Sequence, residues 1–176
     1  GYGLSLAPSG NVYAGHFELN VRAGKGAMLY AKAGLYVGLW QDGLRHGQGK
    51  MAYSDGSVYE GAWAFGQRHG KGTFTYANGD RYVGGYFNGK KEGAGVYRAV
   101  AASTKFEASF GEGQLLAGKA VTADGSAYYG VFKKGAADGK GAWALPNGVV
   151  AEGVFVGVLP EDADPEDEAA KLSNTW

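Results

Sequence analysis

The sequence predicts an all-β protein: an elongated, single-layer, twisted antiparallel sheet of stacked 23-residue β-hairpins, followed by a short C-terminal helix. Four tyrosines are spaced by 23 residues each time: Tyr13, Tyr36, Tyr59 and Tyr82. Each is followed two positions later by glycine and four positions later by another aromatic residue, which is the period-2 alternation of a β-strand. Glycine supplies 33 of the 176 residues, against an ordinary share of about 7 %.

Composition and charge exclude several protein classes. Hydrophobic residues make up 45 % of the chain, which excludes disorder for most of it, and the glycines do not recur at every third position as in collagen. There is no long apolar run and no basic-then-apolar leader, so neither a membrane span nor a signal peptide is expected. The absence of cysteine excludes disulfides and thiolate chemistry and fits a cytoplasmic protein.

The repeat divides the chain into a repeat domain, residues 1–159, and an acidic tail, residues 160–176. The domain begins with the second half of one repeat, which suggests a fragment of a longer protein. Full repeats follow at 13–35, 36–58, 59–81, 82–105 and 128–150, with an irregular repeat at 106–127 and a partial one at 151–159.

Each full repeat is expected to form one hairpin. The first strand carries tyrosine, glycine and an aromatic residue on one face, and the second carries a Gly-x-Gly followed by alternating apolar residues such as Met51 and Tyr53. Glycine normally weakens a strand, so its recurrence needs a reason. We expect an aromatic ring from the adjoining strand to lie over each glycine, since no second layer covers the sheet.

The irregular repeat, 106–127, departs from this pattern. The connection before it, 99–105, has one additional residue, and the segment 113–118 has one fewer than its counterparts. Ala108 also stands where the other repeats have glycine. We therefore expect an irregular surface near residues 99–120.

The tail begins with a helix-start signal. Asp164 is a capping residue, Pro165 stands at the first helical position, and acids follow in the first turn. Leu172 and Trp176 would lie on one face of a helix from 165 and cap the last repeats. A disordered acidic tail is the equally open alternative.

The unit Tyr-x-Gly-x-(Trp/Phe)-x-x-Gly-x-x-x-Gly-x-Gly, clearest at 36–49 and 59–72, resembles the MORN repeat (membrane occupation and recognition nexus). The resemblance covers about residues 1–158 and implies a non-catalytic scaffold that binds partner segments, often in cytoskeletal or ciliary assemblies. We therefore expect a protein partner, bound as a helix or an extended segment. Its groove would be lined by two rows of rings: Tyr13, Tyr36, Tyr59 and Tyr82, with Phe17, Trp40, Trp63 and Tyr86.

Three alternatives stay open. A membrane-tethering module would bind anionic lipid, phosphoinositide included, through bases near the hairpin connections, although these bases are also typical of solvated loops: Arg45, Arg68, Lys71, Lys90, Lys91, Lys133 and Lys134. A regulatory module of a larger enzyme is the second alternative, and a homodimer formed through an open edge strand is the third. Nucleic acid is not expected as a partner, because residues 1–159 carry 16 bases and 11 acids, a net charge of only +5.

No catalytic, cofactor or metal site is expected. The segments 66–72 and 135–141 resemble phosphate-binding loops, but three residues separate their glycines where a P-loop has four, and glycine replaces the Mg²⁺-binding Ser or Thr. His46 and His69 occupy equivalent positions in units stacked roughly 10 Å apart. That separation is too large for two imidazoles to share one zinc ion.

Overall fold

The computed structural model describes residues 1–156, which form fourteen β-strands. In chain order they form one antiparallel sheet, and no helix occurs among these residues, so the predicted all-β hairpin fold is confirmed. The predicted C-terminal helix, with Leu172 and Trp176, lies outside the described residues. The strands are β1 (Tyr2–Leu6), β2 (Val12–Glu18), β3 (Val21–Tyr30), β4 (Gly34–Gln41), β5 (Leu44–Tyr53), β6 (Val58–Ala64), β7 (Gln67–Thr75), β8 (Arg81–Phe87), β9 (Lys90–Ala99), β10 (Thr104–Gly111), β11 (Gln114–Val121), β12 (Ala127–Lys133), β13 (Ala136–Ala144) and β14 (Val150–Val156).

The chain divides into two compact units. Unit 1 comprises residues 1–77 and 86–89, and unit 2 comprises residues 78–85 and those from 90 onward. In unit 1, consecutive strands from β1 to β7 pair with each other. In unit 2, consecutive strands from β9 to β14 do the same.

Two-residue turns close the hairpins within the repeats. In the β4–β5 hairpin Gln41 lies opposite Leu44, and Asp42 and Gly43 between them have φ values of +52° and +76°. Positive φ at both central residues matches the right-handed twist of the flanking strands and favours Asn, Asp and Gly. Phe65 adopts the same backbone conformation at its turn, with φ of +51°.

The two glycines of each Gly-x-Gly have different structural roles. Gly47 has a φ of +57° and lies in a bulge, where the register shifts so that Gly38 faces Gly49 while Leu39 faces His46. Gly49 is in ordinary extended conformation opposite Gly38. The first glycine of the motif therefore allows the bulge, and the second lies under a tyrosine ring.

The irregular repeat still forms a hairpin like the others. Gly111 lies opposite Gln114 around a two-residue turn, and the register shifts between Ser109 and Phe110. This bulge holds one extra residue, Leu116, where the regular repeats hold two. The irregularity expected near residues 99–120 lies in this bulge, which is one residue shorter than its counterparts and leaves the strand pairing intact.

Candidate functional site

One face of the sheet, here called the aromatic face, carries the repeated tyrosines, and its packing depends on paired glycines. A Cβ atom added to Gly38 would lie 2.5 Å from the Tyr36 hydroxyl, and one added to Gly49 would lie 2.6 Å from the Tyr36 ring. The Tyr36 hydroxyl donates a hydrogen bond to the Leu39 carbonyl at 2.9 Å. The ring thus lies along its own strand and covers a glycine there and another on the next strand. The covering ring therefore comes from the adjoining strand for Gly49, as expected, and from the same strand for Gly38.

The second aromatic residue of each repeat joins one hairpin to the next. The Trp40 ring packs edge-on against Tyr13 of the preceding repeat and against Tyr36 of its own, both at a centroid distance of 5.2 Å. Its indole N–H donates to the Gly26 carbonyl at 3.2 Å. Trp63 repeats these contacts with Tyr36 and Tyr59.

These contacts form a continuous series of rings in unit 1, here called the ladder. Its order is Phe17, Tyr13, Trp40, Tyr36, Trp63, Tyr59 and Tyr86. In unit 2, Tyr82 packs edge-on against Phe110, and Tyr128 packs in the same way against Phe132 and Phe155.

The predicted groove residues are therefore brought together, but as a core. Tyr36, Tyr59 and Tyr82 are 0 % exposed, and Trp40 and Trp63 are at most 5 % exposed; Phe17 alone among the eight is half-buried. Rings with so little accessible surface stabilise the sheet.

Burial also changes the acidity of the repeated tyrosines on the aromatic face. Loss of solvation raises the pKa of Tyr59 to about 12 from 10.0, although the positive charge of Arg68 lowers it in part. Burial raises the pKa of Tyr13, Tyr36 and Tyr128 in the same direction. A buried phenolate is disfavoured because the low-dielectric surroundings penalise its charge.

Three arginines lie over the ladder in unit 1; we call them the arginine row: Arg22, Arg45 and Arg68. The Arg45 guanidinium carbon lies 4.3 Å from the Trp63 ring centroid and 5.9 Å from that of Tyr30. Its Nη2 donates a hydrogen bond of 2.6 Å to the Gly66 carbonyl in the next turn. Arg22 and Arg68 bond the carbonyls of Gly43 and Gly89 in the same way.

The bases predicted as a lipid-binding stripe do not share one environment. Arg45 and Arg68 belong to the arginine row, and Lys91 packs over rings of unit 2. Lys90 forms an ion pair with Glu112. The other three side chains are exposed: Lys71, Lys133 and Lys134.

The opposite face of unit 1 presents exposed aliphatic residues. We call them the aliphatic patch: Leu4, Leu6, Leu29, Leu35, Val37 and Leu39, whose exposed fractions run from 37 % to 74 %. Leu29 lies directly opposite Leu35, and Val37 lies opposite Ala27. A shallow depression of about 700 Å³ adjoins the patch, lined by Tyr2, Gly3, Ala14, Gly15, Lys25, Gly26, Val37, Gly38, Leu39 and Gln48.

Sequence reasoning missed this patch, although a signal was present. In residues 35–40 both alternating sets are apolar, with Leu35, Val37 and Leu39 on one face and the repeat residues on the other. An unbroken apolar run is typical of a strand covered on both faces. Glu60 of β6 stands at the repeat position of Val37, and Thr73 of β7 lies opposite it; both suit a face in water.

The histidines have separate, local contacts. His46 lies opposite Leu39, His69 packs against Phe87, and His16 lies 3.9 Å from Glu18. Within residues 1–156, no group of three or more histidine and carboxylate side chains is placed to hold a metal ion. In the same part of the chain, no helix has the length and apolarity needed to cross a membrane.

Comparison with known proteins gives one family and one related fold. The MORN repeat model matches residues 13–32, 36–58, 59–81, 82–100 and 128–150. Among solved structures, the chain is similar to the TCP domain of Drosophila melanogaster SAS-4 (dCPAP), solved in complex with a proline-rich motif of Ana2 (dSTIL), at 16 % identity and a TM-score of 0.53. That match covers 88 % of this chain and 84 % of the TCP domain, and at this identity it shows a likeness of fold alone.

A further match is a catalytically inactive virginiamycin B lyase from Staphylococcus aureus with quinupristin, at 12 % identity. It covers 88 % of this chain and 55 % of the lyase, with a TM-score of 0.22, which is too low to relate the two folds. The sequence has no significant match among curated proteins.

Proposed function

Because the chain belongs to the MORN-repeat family, we propose that it is a non-catalytic interaction scaffold that binds a segment of a partner protein on the aliphatic patch of unit 1. Its setting is cytoplasmic, in a cytoskeletal or ciliary assembly. The complex of the SAS-4 domain with a proline-rich motif supports a short segment of chain as the kind of ligand that this fold accepts.

The exposed aliphatic patch is the observation that carries the proposal. Leu6 lies opposite Val12, which lies opposite Leu29, which lies opposite Leu35, so one apolar row crosses four strands. A contiguous apolar surface of this kind on a soluble domain marks an interaction site, because its exposure to water is unfavourable. The buried ladder on the aromatic face keeps these strands in register beneath the bound segment.

The surroundings of the patch favour an apolar segment with few basic residues. Lys25 lies opposite Leu39 and Lys50 lies opposite Val37, so two cations border the aliphatic side chains. An extended segment laid across the strands would bury apolar side chains in the depression beside Val37 and leave its polar groups at this border.

The test uses the wild-type chain, one triple variant and one double variant as baits. Leu35→Ser with Val37→Thr and Leu39→Ser removes the centre of the patch, while Tyr129→Ser with Val131→Thr removes equally exposed residues at equivalent positions in unit 2. Affinity capture from a lysate with mass spectrometry identifies partners, and a synthetic segment of the partner then gives the affinity.

We expect the β4 variant alone to lose the partner, with at least about a tenfold rise in Kd for the segment, the effect of losing one well-packed anchor. Both variants should keep the wild-type circular dichroism spectrum, since all five side chains are exposed. A partner that both variants retain, or that both lose equally, would contradict binding at the patch.

The lipid-binding alternative is less well supported. The predicted bases do not form one stripe: Arg45 and Arg68 lie over the ladder, Lys91 lies over rings of unit 2, and Lys90 pairs with Glu112. Reversal of the exposed bases Lys71, Lys133 and Lys134 to Glu is the direct test, because it leaves the arginine row untouched. If the wild-type protein co-sediments with anionic liposomes and this variant does not, the result would support lipid binding.

A further inference from the structure

Within the part of the chain that the structure describes, the arginine row is a set of cations without carboxylate partners. Among residues 1–156, Arg22, Arg45 and Arg68 form no ion pair, and each makes one hydrogen bond, to a backbone carbonyl. A guanidinium has five N–H donors. Each side chain is half-buried, so some of its guanidinium N–H donors are accessible above the aromatic rings of the ladder.

The carboxylates of unit 1 lie elsewhere. Glu18 and Glu60 alternate with the aromatic-face residues of their strands and therefore point to the opposite face, while Asp42 and Asp55 lie in turns. The aromatic face of unit 1 thus carries three positive charges and no negative one, and an acidic ligand would complement it.

The distance between successive arginines of the row matches the repeat distance of one backbone conformation in the ligand. Successive arginines are separated by two strands, or about 9.6 Å at 4.8 Å per strand. A polyproline II helix advances about 9.3 Å in three residues and returns every third side chain to the same side. A β-strand turns residues i and i+3 to opposite sides, so it does not match.

The chain itself contains a segment with this pattern. Residues 160–168 read Pro-Glu-Asp-Ala-Asp-Pro-Glu-Asp-Glu, with acids at every third position: Glu161, Asp164 and Asp167. Pro160 and Pro165 favour an extended or polyproline conformation in the residues that precede them. Residues 160–176 carry six acids and one base, a net charge of −5 that offsets the +5 of residues 1–159.

We propose that residues 160–168 of one copy bind along the arginine row of a second copy, each of the three in-register carboxylates meeting one guanidinium. Each copy supplies one row and one segment, so two copies exchange segments in a closed two-fold dimer. This pairing and the helix predicted from residue 165 exclude each other. This dimer uses the aromatic face and leaves the aliphatic patch available.

The test uses two full-length variants that lose the same charge. Glu161→Gln with Asp164→Asn and Asp167→Asn removes the in-register acids, and Asp162→Asn with Glu166→Gln and Glu168→Gln removes the out-of-register ones. Sedimentation velocity over a range of protein concentrations gives the dimer Kd. We expect the in-register variant to raise the Kd by about tenfold or more, as six modest ion pairs are lost, and the control to stay within about threefold.

Arg45→Gln locates the site on the other side of the contact. Folded by circular dichroism, it should weaken the dimer less than the in-register variant does, because it removes two of the six ion pairs. In 0.5 M salt the wild-type dimer should dissociate through screening. Should Arg45→Gln fail to fold, the two tail variants decide alone. A chain that is monomeric at every concentration, equal effects of the two tail variants, or an unchanged dimer in folded Arg45→Gln would each overturn the proposal.

Discussion

Tyr36 explains at the scale of one residue why a glycine-rich strand is stable here. Its ring occupies the space that side chains at Gly38 and Gly49 would fill, and its hydroxyl satisfies the Leu39 carbonyl. The large apolar area of the ring is thereby removed from water without a second layer of structure. The weakness of two glycines in a strand is offset by the burial of one aromatic side chain.

The glycine positions can be tested with a matched pair of substitutions. Gly38→Ala should destabilise the protein by about 1–3 kcal/mol, because the new methyl group overlaps the Tyr36 hydroxyl and the backbone of Gly49. Gly153 occupies the equivalent position in the last strand, but Ala151 replaces the tyrosine, and the nearest atom to an added Cβ is in Phe155 at 4.0 Å. Gly153→Ala should therefore be neutral in urea unfolding, and equal losses for the two variants would contradict the packing explanation.

The buried tyrosines predict a loss of stability in alkali. The pKa of Tyr59 in the folded protein is about 12, above the ordinary 10.0. The contribution of the buried, neutral ring to the free energy of unfolding is therefore complete below pH 10, and it is lost as the pH rises through about 12. Circular dichroism should change with the last part of the rise in tyrosinate absorbance at 295 nm, the part that reports ionisation of the buried rings. Tyr59→Phe removes one such group, and its stability should fall less between pH 9 and pH 11.5 than that of the wild type; an identical pH dependence would refute this assignment.

At the scale of the element, the hairpin turns differ in how well their residues suit them. Phe65 has a φ of +51° and is 81 % exposed, whereas Asn88 occupies the equivalent position with a φ of +47°. The left-handed conformation is unfavourable for a bulky residue, and asparagine tolerates it. The β6–β7 turn therefore carries strain that the equivalent turn at 88–89 avoids.

Exchanging these residues tests the strain. Phe65→Asn should stabilise the protein by about 1 kcal/mol, since it relieves the left-handed backbone and removes little packing. Asn88→Phe should destabilise it by a similar amount, with the midpoint of urea unfolding as the measurement for both. A loss of stability in Phe65→Asn would show that the exposed ring makes a contact that outweighs the strain.

The hairpins could be predicted from the sequence because tyrosine, glycine and the second aromatic residue recur in phase with the strand period. The bulge at Gly47 could not, since it depends on a register shift that a pattern of side chains does not reveal. The role of Arg45 was also missed: its position near a turn indicated a loop charge, but its long side chain folds back over Trp63. The aliphatic patch had a readable signal, the doubly apolar run at residues 35–40.

At the scale of the molecule, the fold of each unit rests on contacts between neighbours. In unit 1 every ladder ring except the two at its ends touches one ring before it and one after it, so neighbouring hairpins stabilise each other and no central core exists. Within such an array the position of a lost contact determines how far its effect spreads. Trp63 joins Tyr36 to Tyr59, while Phe17 is the first ring of the ladder.

This architecture predicts different results for truncations in the middle and at the end of the ladder. Trp63→Ala should cost about 3–5 kcal/mol and should reduce hydrogen-exchange protection in β5, β6 and β7, because it separates the rings on either side and frees the Gly49 carbonyl that the indole N–H bonds. Phe17→Ala should shorten the ladder at its end and reduce protection in β2 and β3 alone. Indistinguishable exchange patterns in the two variants would show that unit 1 unfolds as a single cooperative body, with no dependence on the continuity of the ladder.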